Sequence, residues 1–111
     1  MIVVYIASPY TLGDVAVNVK TQLDVADKLM TLDFCPVVPL FTHFQQLHKP
    51  RPYQDWMKID FEKIKRSDIV LRLKGKSKGA DKEVALAKSL RIPVVYSIDE
   101  LIKVSNKIRR K

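Results

Sequence analysis

The chain has 111 residues, of which 47% are hydrophobic and 29% charged, a composition typical of one globular domain and unlike that of disordered or fibrous proteins. No apolar run approaches the roughly 18 residues of a membrane span, and residues 1–9 lack the basic leader and long apolar region of a secretory signal. The single cysteine, Cys35, excludes an internal disulfide framework. We therefore predict a single cytoplasmic domain over residues 1–111, with Cys35 in its core and no membrane association.

The formal net charge of +8 is concentrated in the second half of the chain. Residues 1–50 contain three lysines and four aspartates (net −1), whereas residues 51–111 contain 17 Lys or Arg and 8 Asp or Glu (net +9). This asymmetry indicates an anionic partner, either a nucleic acid or a small phosphate-bearing ligand. A basic tail that aids solubility is an equally good explanation; its members are Lys103, Lys107, Arg109, Arg110 and Lys111.

The first half of the chain is predicted to form a strand, a helix and a second strand. Residues 2–6 are β-branched or aromatic, as in a strand buried on both faces. Asp14 is placed to cap a helix. The predicted apolar face of that helix consists of Val15, Val19, Leu23, Ala26 and Met30. A short strand is predicted over residues 36–40, which begin and end near prolines, and residues 41–55 are predicted to be a long, functional loop.

The second half continues the alternation. We predict a helix over residues 53–66, a strand over 68–73, a basic loop over 74–79, a helix over 80–90 and a strand over 93–96. Ser97 and Glu100 form a capping-box pattern at the start of the last helix. This order predicts an α/β fold, a flavodoxin- or Rossmann-like three-layer sandwich with a four- to five-stranded parallel sheet of order 2-1-3-4. Ligands bind such sheets between the first and third strands, so residues 7–13, the loop after Leu40 and residues 74–82 are expected to frame a pocket.

Two carboxylates and one tyrosine are candidates for chemistry in this pocket. Glu83 is expected in the first turn of its helix, where the exposed N–H groups would keep it ionised as a nucleophile. Asp60, on the preceding helix, would be the second carboxylate that glycosidic bond cleavage requires, and the Tyr5 hydroxyl could orient a carboxylate. Each has an ordinary alternative: a helix-start glutamate, a solvated helix face and a core tyrosine. For Glu83, position alone favours the ordinary one.

The basic loop over residues 74–79 has the composition of an anion-binding site. Lys74, Lys76 and Lys78 alternate there with two glycines and Ser77 ahead of a helix. The spacing of a Walker A motif is absent, and no G-x-G-x-x-G follows the first strand, which disfavours a nucleoside triphosphatase or a dinucleotide site. His43 and His48 lack nearby metal-ligand partners, so we predict no metal site.

Three segments give the sequence a resemblance to a known family. They are Tyr5-Ile-Ala-Ser-Pro-Tyr10, Asp60 with Ser67-Asp-Ile-Val70, and Ser77-Lys-Gly-Ala-Asp-Lys-Glu83. The chain resembles the nucleoside 2-deoxyribosyltransferase superfamily, which includes the 2′-deoxynucleoside 5′-phosphate N-hydrolases. It is most similar to a branch of short members that share YIASPYT, RPYxDW and SKGADxEVALA, and this resemblance covers nearly the whole chain.

The resemblance implies a role for each matching residue. Glu83 corresponds to the glutamate that attacks the anomeric carbon, Tyr5 to the tyrosine that hydrogen-bonds it, and Asp60 to an aspartate that handles the leaving base or the sugar. Ser77 corresponds to a phosphate-binding serine, which favours a nucleotide over a nucleoside. The sequence departs from the family at Asp81 and Lys82, where smaller or apolar residues are common. Asn106 is not assigned the role of the transferases' C-terminal asparagine.

We therefore predict an N-glycosidase that acts on a (deoxy)nucleoside 5′-monophosphate through a glycosyl–glutamate intermediate, without metal or organic cofactor and as a homo-oligomer. The identity of the base, the choice between ribose and deoxyribose, and the choice between hydrolysis and transfer stay open. Beyond the catalytic residues, the predicted substrate-binding residues are Ser8, Tyr10, His43, Trp56, Ser77, Lys78 and Gly79, with Phe44 and Tyr53 as further walls for the base. A non-catalytic nucleotide-binding or sensing domain is the alternative. A nucleic-acid-binding module ranks last, since no recognised module is present.

Overall fold

The computed structural model describes residues 1–109. Arg110 and Lys111, the end of the predicted basic tail, lie outside the described residues. The elements in chain order are β1 (Val3–Ala7), α1 (Val15–Thr31), β2 (Cys35–Val37), a 3-10 turn (Pro39–Phe41), α2 (Thr42–His48), α3 (Tyr53–Lys65), β3 (Ile69–Arg72), α4 (Lys78–Ser89), β4 (Val94–Val95) and α5 (Ile98–Arg109).

The four strands form one parallel sheet in the order β2-β1-β3-β4, which confirms the predicted α/β fold and strand order. Within β1, Val4 and Ile6 pack with residues of α1 and α5, whereas Tyr5 and Ala7 pack with residues of α3 and α4. Alternation along a strand sends neighbouring side chains to opposite faces, so helices cover both faces of the sheet. No helix within residues 1–109 is long and apolar enough to cross a membrane.

Helix α1 is correctly predicted, and its buried face is predicted in part, since Val19 and Ala26 are buried as expected. Asp14 caps it as expected, with Oδ1 accepting from the Val17 N–H at 3.2 Å. The predicted face ended at Met30, whose side chain is 64% exposed, whereas Leu29 is fully buried. The apolar pattern was misleading because the buried face, which consists of Val19, Gln22, Ala26 and Leu29, includes a polar residue.

The segment after β2 differs most from the prediction. The strand ends at Val37, residues 39–41 form a 3-10 turn, and the predicted long loop contains the seven-residue helix α2. Helix α2 has no buried residue, and Phe44 and Leu47 are exposed. Its apolar residues therefore do not form the buried face that a surface helix normally packs against its core. Cys35, predicted in the core, is half-buried in β2.

The remaining elements match the predictions closely, with one shift that affects the site. Helix α4 begins at Lys78, two residues early, because the Ser77 hydroxyl accepts the Ala80 N–H at 3.1 Å and Ser is a good N-cap. Ser97 likewise accepts from the Glu100 N–H at 3.1 Å, whereas the Glu100 carboxylate accepts from the Tyr96 N–H at 3.0 Å and not from Ser97.

Candidate active site

A cleft of about 740 Å³ opens at the carboxyl ends of β1 and β3. All three predicted segments contribute to it: the turn after β1, the segment after β2, and the loop and helix start after β3. The side chains around it belong to Ser8, Tyr10, Thr11, Leu12, Pro39, Leu40, Thr42, Gln46, Arg51, Tyr53, Trp56, Met57, Asp60 and residues 76–83. Cavities that bind small molecules typically enclose about 300–1,000 Å³, so this cleft is large enough for a nucleotide-sized ligand.

Glu83 projects from the buried face of α4 into the floor of the cleft. That face consists of Ala80, Glu83 and Ala87, and only 6% of the Glu83 surface is exposed. Since α4 begins at Lys78, Glu83 lies in the second turn of the helix. The prediction that it lies in the first turn is wrong. The free N–H groups of the first turn are therefore not available to stabilise its ionised form.

The Tyr5 hydroxyl donates a hydrogen bond to Oε2 of Glu83. Tyr5 is fully buried at the centre of β1, on the sheet face that α4 covers. Burial and the nearby charges of Glu83 and Asp60 raise the pKa of Tyr5 well above its ordinary value. Tyr5 therefore keeps its proton and acts only as a donor to Glu83.

Asp60 contributes a second carboxyl group to the same cleft. It lies on the face of α3 that also carries Met57 and Ile64, at three- and four-residue spacing. Its Oδ1 is buried and has no hydrogen-bond partner among the described residues. Burial raises the pKa of Asp60 to about 6, an effect that the charge of Lys63 partly offsets.

The two carboxyl groups influence each other's protonation. Burial raises the pKa of Glu83 to about 8, and the charge of Asp60 adds to this, whereas the Tyr5 hydrogen bond and the charge of Arg72 lower it. The expectation of a Glu83 kept ionised by its helix is therefore wrong, because desolvation outweighs the favourable contacts. Between about pH 6 and pH 8 the pair holds about one proton.

Cationic side chains surround the mouth of the cleft. Its lining contains the cations Arg51, Lys76, Lys78 and Lys82. Asp81, the acidic residue nearest the nucleophile candidate in sequence, pairs with Arg72 at 3.1 Å. The same guanidinium donates to the carbonyl oxygens of Leu73 and Gly75, and so holds the loop after β3. An anionic ligand group would therefore meet net positive charge at the cleft entrance.

The predicted residues of the loop and of α4 lie in the cleft wall. Ser77 uses its oxygen as an acceptor in the helix cap, which leaves its hydroxyl proton available to a ligand. A Cβ on Gly79 would lie 3.2 Å from the Tyr53 hydroxyl oxygen, so glycine permits Tyr53 to approach α4 closely. The Lys82 ammonium lies 5.6 Å from the centre of the Tyr53 ring, a cation–π contact.

Only some of the aromatic residues predicted to line the cleft do so. Tyr10, Tyr53 and Trp56 line the cleft, whereas His43 and Phe44 are not among its lining residues. His43 Nδ1 instead lies 2.6 Å from the Tyr10 hydroxyl, so it contacts the cleft only through Tyr10. The sequence predicts a loop where helix α2 lies, and this helix carries both residues outside the cleft lining.

Three functional candidates were missed by the sequence analysis. Gln46 accepts a hydrogen bond from the Trp56 indole at 2.6 Å, Arg51 lines the cleft mouth, and Gln22 hydrogen-bonds to two of its walls. Only Arg51 has a signal in the sequence, since it opens the RPYxDW motif, whereas Gln22 lies outside the apolar pattern of α1 and its burial is apparent only from the structure. Within residues 1–109, no three His, Cys, Asp or Glu side chains are grouped closely enough to hold a metal ion.

Fold and site together define a Rossmann-like α/β protein with a pair of carboxyl groups in a basic-rimmed cleft at the switch point of its sheet. A family model described as Domain of unknown function (DUF4406) matches residues 2–96, and the chain belongs to this family. A comparison with curated proteins found no match. The matched range contains Tyr5 and every residue that lines the cleft, Asp60 and Glu83 included.

Proposed function

We propose that this protein is a retaining N-glycosidase that acts on a (deoxy)nucleoside 5′-monophosphate. The observation that carries the proposal is the pairing of Glu83 and Asp60 in one cleft, with Tyr5 hydrogen-bonded to Glu83. Retaining glycosidases need two carboxyl groups of different protonation, one as nucleophile and one as acid. The resemblance to the nucleoside 2-deoxyribosyltransferase superfamily implies that Glu83 is the nucleophile and that Asp60 handles the leaving base or the sugar.

Glu83, Asp60 and a water molecule account for every bond and proton that the proposed reaction moves. Since Tyr5 occupies Oε2, the free oxygen Oε1 of Glu83 attacks C1′ of the sugar. A C1′–O bond forms as the C1′–N bond breaks, and the bond's electron pair leaves with the base, which takes a proton from Asp60. Water then attacks C1′, its proton returns to Asp60, and the ester bond breaks to restore the Glu83 carboxylate. A second base in place of water gives sugar transfer.

One shared proton suits this mechanism. At neutral pH the pair carries about one proton. The reactive form has the same proton count, with the proton on Asp60 and the charge on Glu83. The Tyr5 hydrogen bond favours that form because it stabilises the Glu83 anion.

The cationic rim favours a nucleotide over a nucleoside. Lys76 and Lys78 line the cleft beside Ser77, whose hydroxyl proton is free to bind a phosphate oxygen. Tyr53 and Trp56 supply aromatic surface for a base in the same cleft. The non-catalytic alternative, a nucleotide-binding domain, would use the same groups, and only turnover separates the two.

The test is base release from a panel of nucleoside 5′-monophosphates and the matching nucleosides, followed by chromatography. Wild-type protein should release base from at least one monophosphate, faster than from the corresponding nucleoside. Glu83→Gln, which preserves shape but removes the nucleophile, should reduce release at least 1,000-fold, on the order of losing a nucleophile in other enzymes. Glu62→Gln, at an exposed site on α3, is the matched control and should behave as wild type.

Two outcomes would contradict different parts of this proposal. Release that persists in Glu83→Gln would exclude Glu83 as the nucleophile. Tight binding of a monophosphate without release from any member of the panel would favour the binding or sensing domain.

A further inference from the structure

Gln22 is a polar residue in a core position. It lies on the face of α1 that packs on the sheet, between Val19 and Ala26, and none of its surface is exposed. An amide buried without hydrogen bonds would destabilise the fold, so a glutamine here must be fully paired. Its partners therefore show what this side chain does.

All three partners of the Gln22 amide belong to the region of the cleft. Nε2 donates to the Ile6 carbonyl oxygen at 3.2 Å and to Ser8 Oγ at 2.8 Å, at the end of β1. Oε1 accepts from the Leu40 N–H at 2.9 Å, in the turn after β2. Ser8 and Leu40 both line the cleft, so one buried side chain joins two of its walls.

The backbone partners fix which way round the amide lies. The Leu40 N–H can only donate, so the atom that faces it must be Oε1. The Ile6 carbonyl can only accept, so the atom that faces it must be Nε2. The group that meets Ser8 Oγ is consequently an N–H donor.

This orientation decides the direction of the Ser8 hydroxyl. Because its oxygen already accepts from Gln22, the hydroxyl proton must point elsewhere, and no acceptor for it occurs within residues 1–109. Ser8 lines the cleft. Its proton is therefore available to an acceptor atom of a bound ligand.

We infer that Gln22 is a positioning residue, which holds Ser8 as a hydrogen-bond donor to an oxygen of the nucleotide bound in the cleft. The nucleotide as ligand rests on the proposed function. The acceptor is an oxygen of the 5′-phosphate or of the sugar, and Ser8 binds either by the same chemistry. Gln22 does not touch the ligand and acts only through Ser8.

The first test is Ser8→Ala, with affinity for a nucleoside 5′-monophosphate measured by titration calorimetry. Loss of one neutral hydrogen bond should weaken binding about three- to tenfold, and raise KM with less than a twofold change in kcat. Ser89→Ala, at the exposed end of α4, is the matched control and should bind as wild type. The same titration with the nucleoside identifies the acceptor: an effect confined to the monophosphate indicates a phosphate oxygen, and an equal effect indicates the sugar.

The second test is Gln22→Glu, which keeps the shape and the acceptor for Leu40. A carboxyl group buried this deeply is protonated, and its single O–H donates to the Ile6 carbonyl, which can only accept. The Ser8 hydroxyl then has no donor, turns to donate to the carboxyl oxygen, and is lost to the ligand. Affinity should fall as far as in Ser8→Ala, and the double variant should bind no more weakly than Ser8→Ala alone. Independent effects would add. A purely structural Gln22 would lower Tm in this variant and leave the affinity of the folded protein unchanged.

The outcomes separate this inference from the proposed function. Base release by wild type with unchanged affinity in Ser8→Ala would overturn the inference and leave the glycosidase standing. Ser8-dependent binding without base release would support the inference and contradict the glycosidase. Absence of any nucleotide binding by the wild-type protein would contradict both.

Discussion

The hydroxyl of Tyr5 and the Oε2 atom of Glu83 are joined by a hydrogen bond between residues 78 positions apart in the chain. The bond connects the central strand β1 to helix α4 inside the buried layer between them, where Tyr5 is fully buried and Glu83 nearly so. It holds one carboxylate oxygen in place and leaves the other for the cleft. The proposed chemistry depends on this contact and on Asp60, which lines the same cleft as Glu83.

Replacing Tyr5 with Phe should slow turnover and shift its pH dependence. The Tyr5 hydrogen bond lowers the pKa of Glu83, so its loss raises that pKa and disfavours the anion. A hydrogen bond to a charged group contributes about 1.5–3 kcal/mol, so the maximal rate of base release should fall about 10- to 100-fold. The decline of the rate on the alkaline side should move to higher pH. Steady-state rates from pH 5 to pH 10 measure both effects. An unchanged profile would mean that Tyr5 is only a core residue.

The pH profile of wild-type turnover should be bell-shaped. Burial raises the pKa of Asp60 to about 6 and that of Glu83 to about 8, and the active pair carries one proton. The rate should rise through about pH 6 as the pair loses its first proton, and fall above about pH 8 as it loses the second. If Glu83 ionisation alone mattered, the rate would instead rise through pH 8 to a plateau.

The same burial predicts that stability falls as the pH rises. Glu83 has its pKa raised by burial to about 8, against about 4.3 in an unfolded chain. The folded state therefore binds this proton more tightly, a stabilisation fully present below pH 4 and lost as the pH approaches 8. Across pH 5 to pH 8 the loss amounts to at most about 4 kcal/mol.

Glu83→Gln isolates this contribution because it cannot ionise. Chemical denaturation at pH 5 and pH 8 should show the variant gaining stability relative to wild type as the pH rises. Glu62→Gln, whose carboxylate is on the surface, should follow wild type at both pH values. An equal difference between Glu83→Gln and wild type at both pH values would mean that Glu83 is not desolvated as described.

The sequence was sufficient for the sheet and insufficient for parts of the site. Continuous apolar strands alternating with amphipathic helices led directly to the order β2-β1-β3-β4, because few parallel topologies satisfy that alternation. The position of Ser77 at the cleft followed from topology, whereas periodicity left that of Asp60 open and Tyr5 had an equally ordinary explanation as a core residue. Helix α2 is not predicted because it is only seven residues long, too short for Phe44 and Leu47 to establish a helical period.

Electrostatics could not be predicted from sequence position. The helix-start argument for Glu83 depended on where α4 begins, and the Ser77 cap moved that start by a full half-turn. Desolvation depends on what packs around a carboxyl group in three dimensions, and neither β1 nor α3 is near Glu83 in the chain. The raised pKa of Glu83, caused first by burial, therefore became apparent only from the structure.

The loop after β3 should depend strictly on Gly75. Its φ of +118° is unfavourable for any other residue, and a Cβ there would lie 2.7 Å from Pro9 Cγ. Gly75→Ala should cost about 1–3 kcal/mol, lowering Tm by several degrees, and weaken nucleotide binding because the loop lines up Lys76 and Ser77.

Gly13→Ala is the matched control for this prediction. Gly13 has a φ of +83°, but a Cβ there would have no atom within 4 Å. It should therefore show the backbone cost without the steric one and keep a higher Tm than Gly75→Ala in thermal unfolding. Equal losses would mean that the contact with Pro9 relaxes freely.

The most direct test of the central claim is to trap the glycosyl–enzyme. Wild-type protein is mixed with a nucleoside 5′-monophosphate from which it releases base. The mixture is quenched in acid within milliseconds and analysed by intact-mass and peptide mass spectrometry. We predict a mass increase equal to one sugar 5-phosphate residue, carried by the peptide that contains Glu83 and absent from Glu83→Gln. Rapid base release with no adduct on Glu83 at any quench time, together with a product of inverted configuration at C1′, would contradict the account.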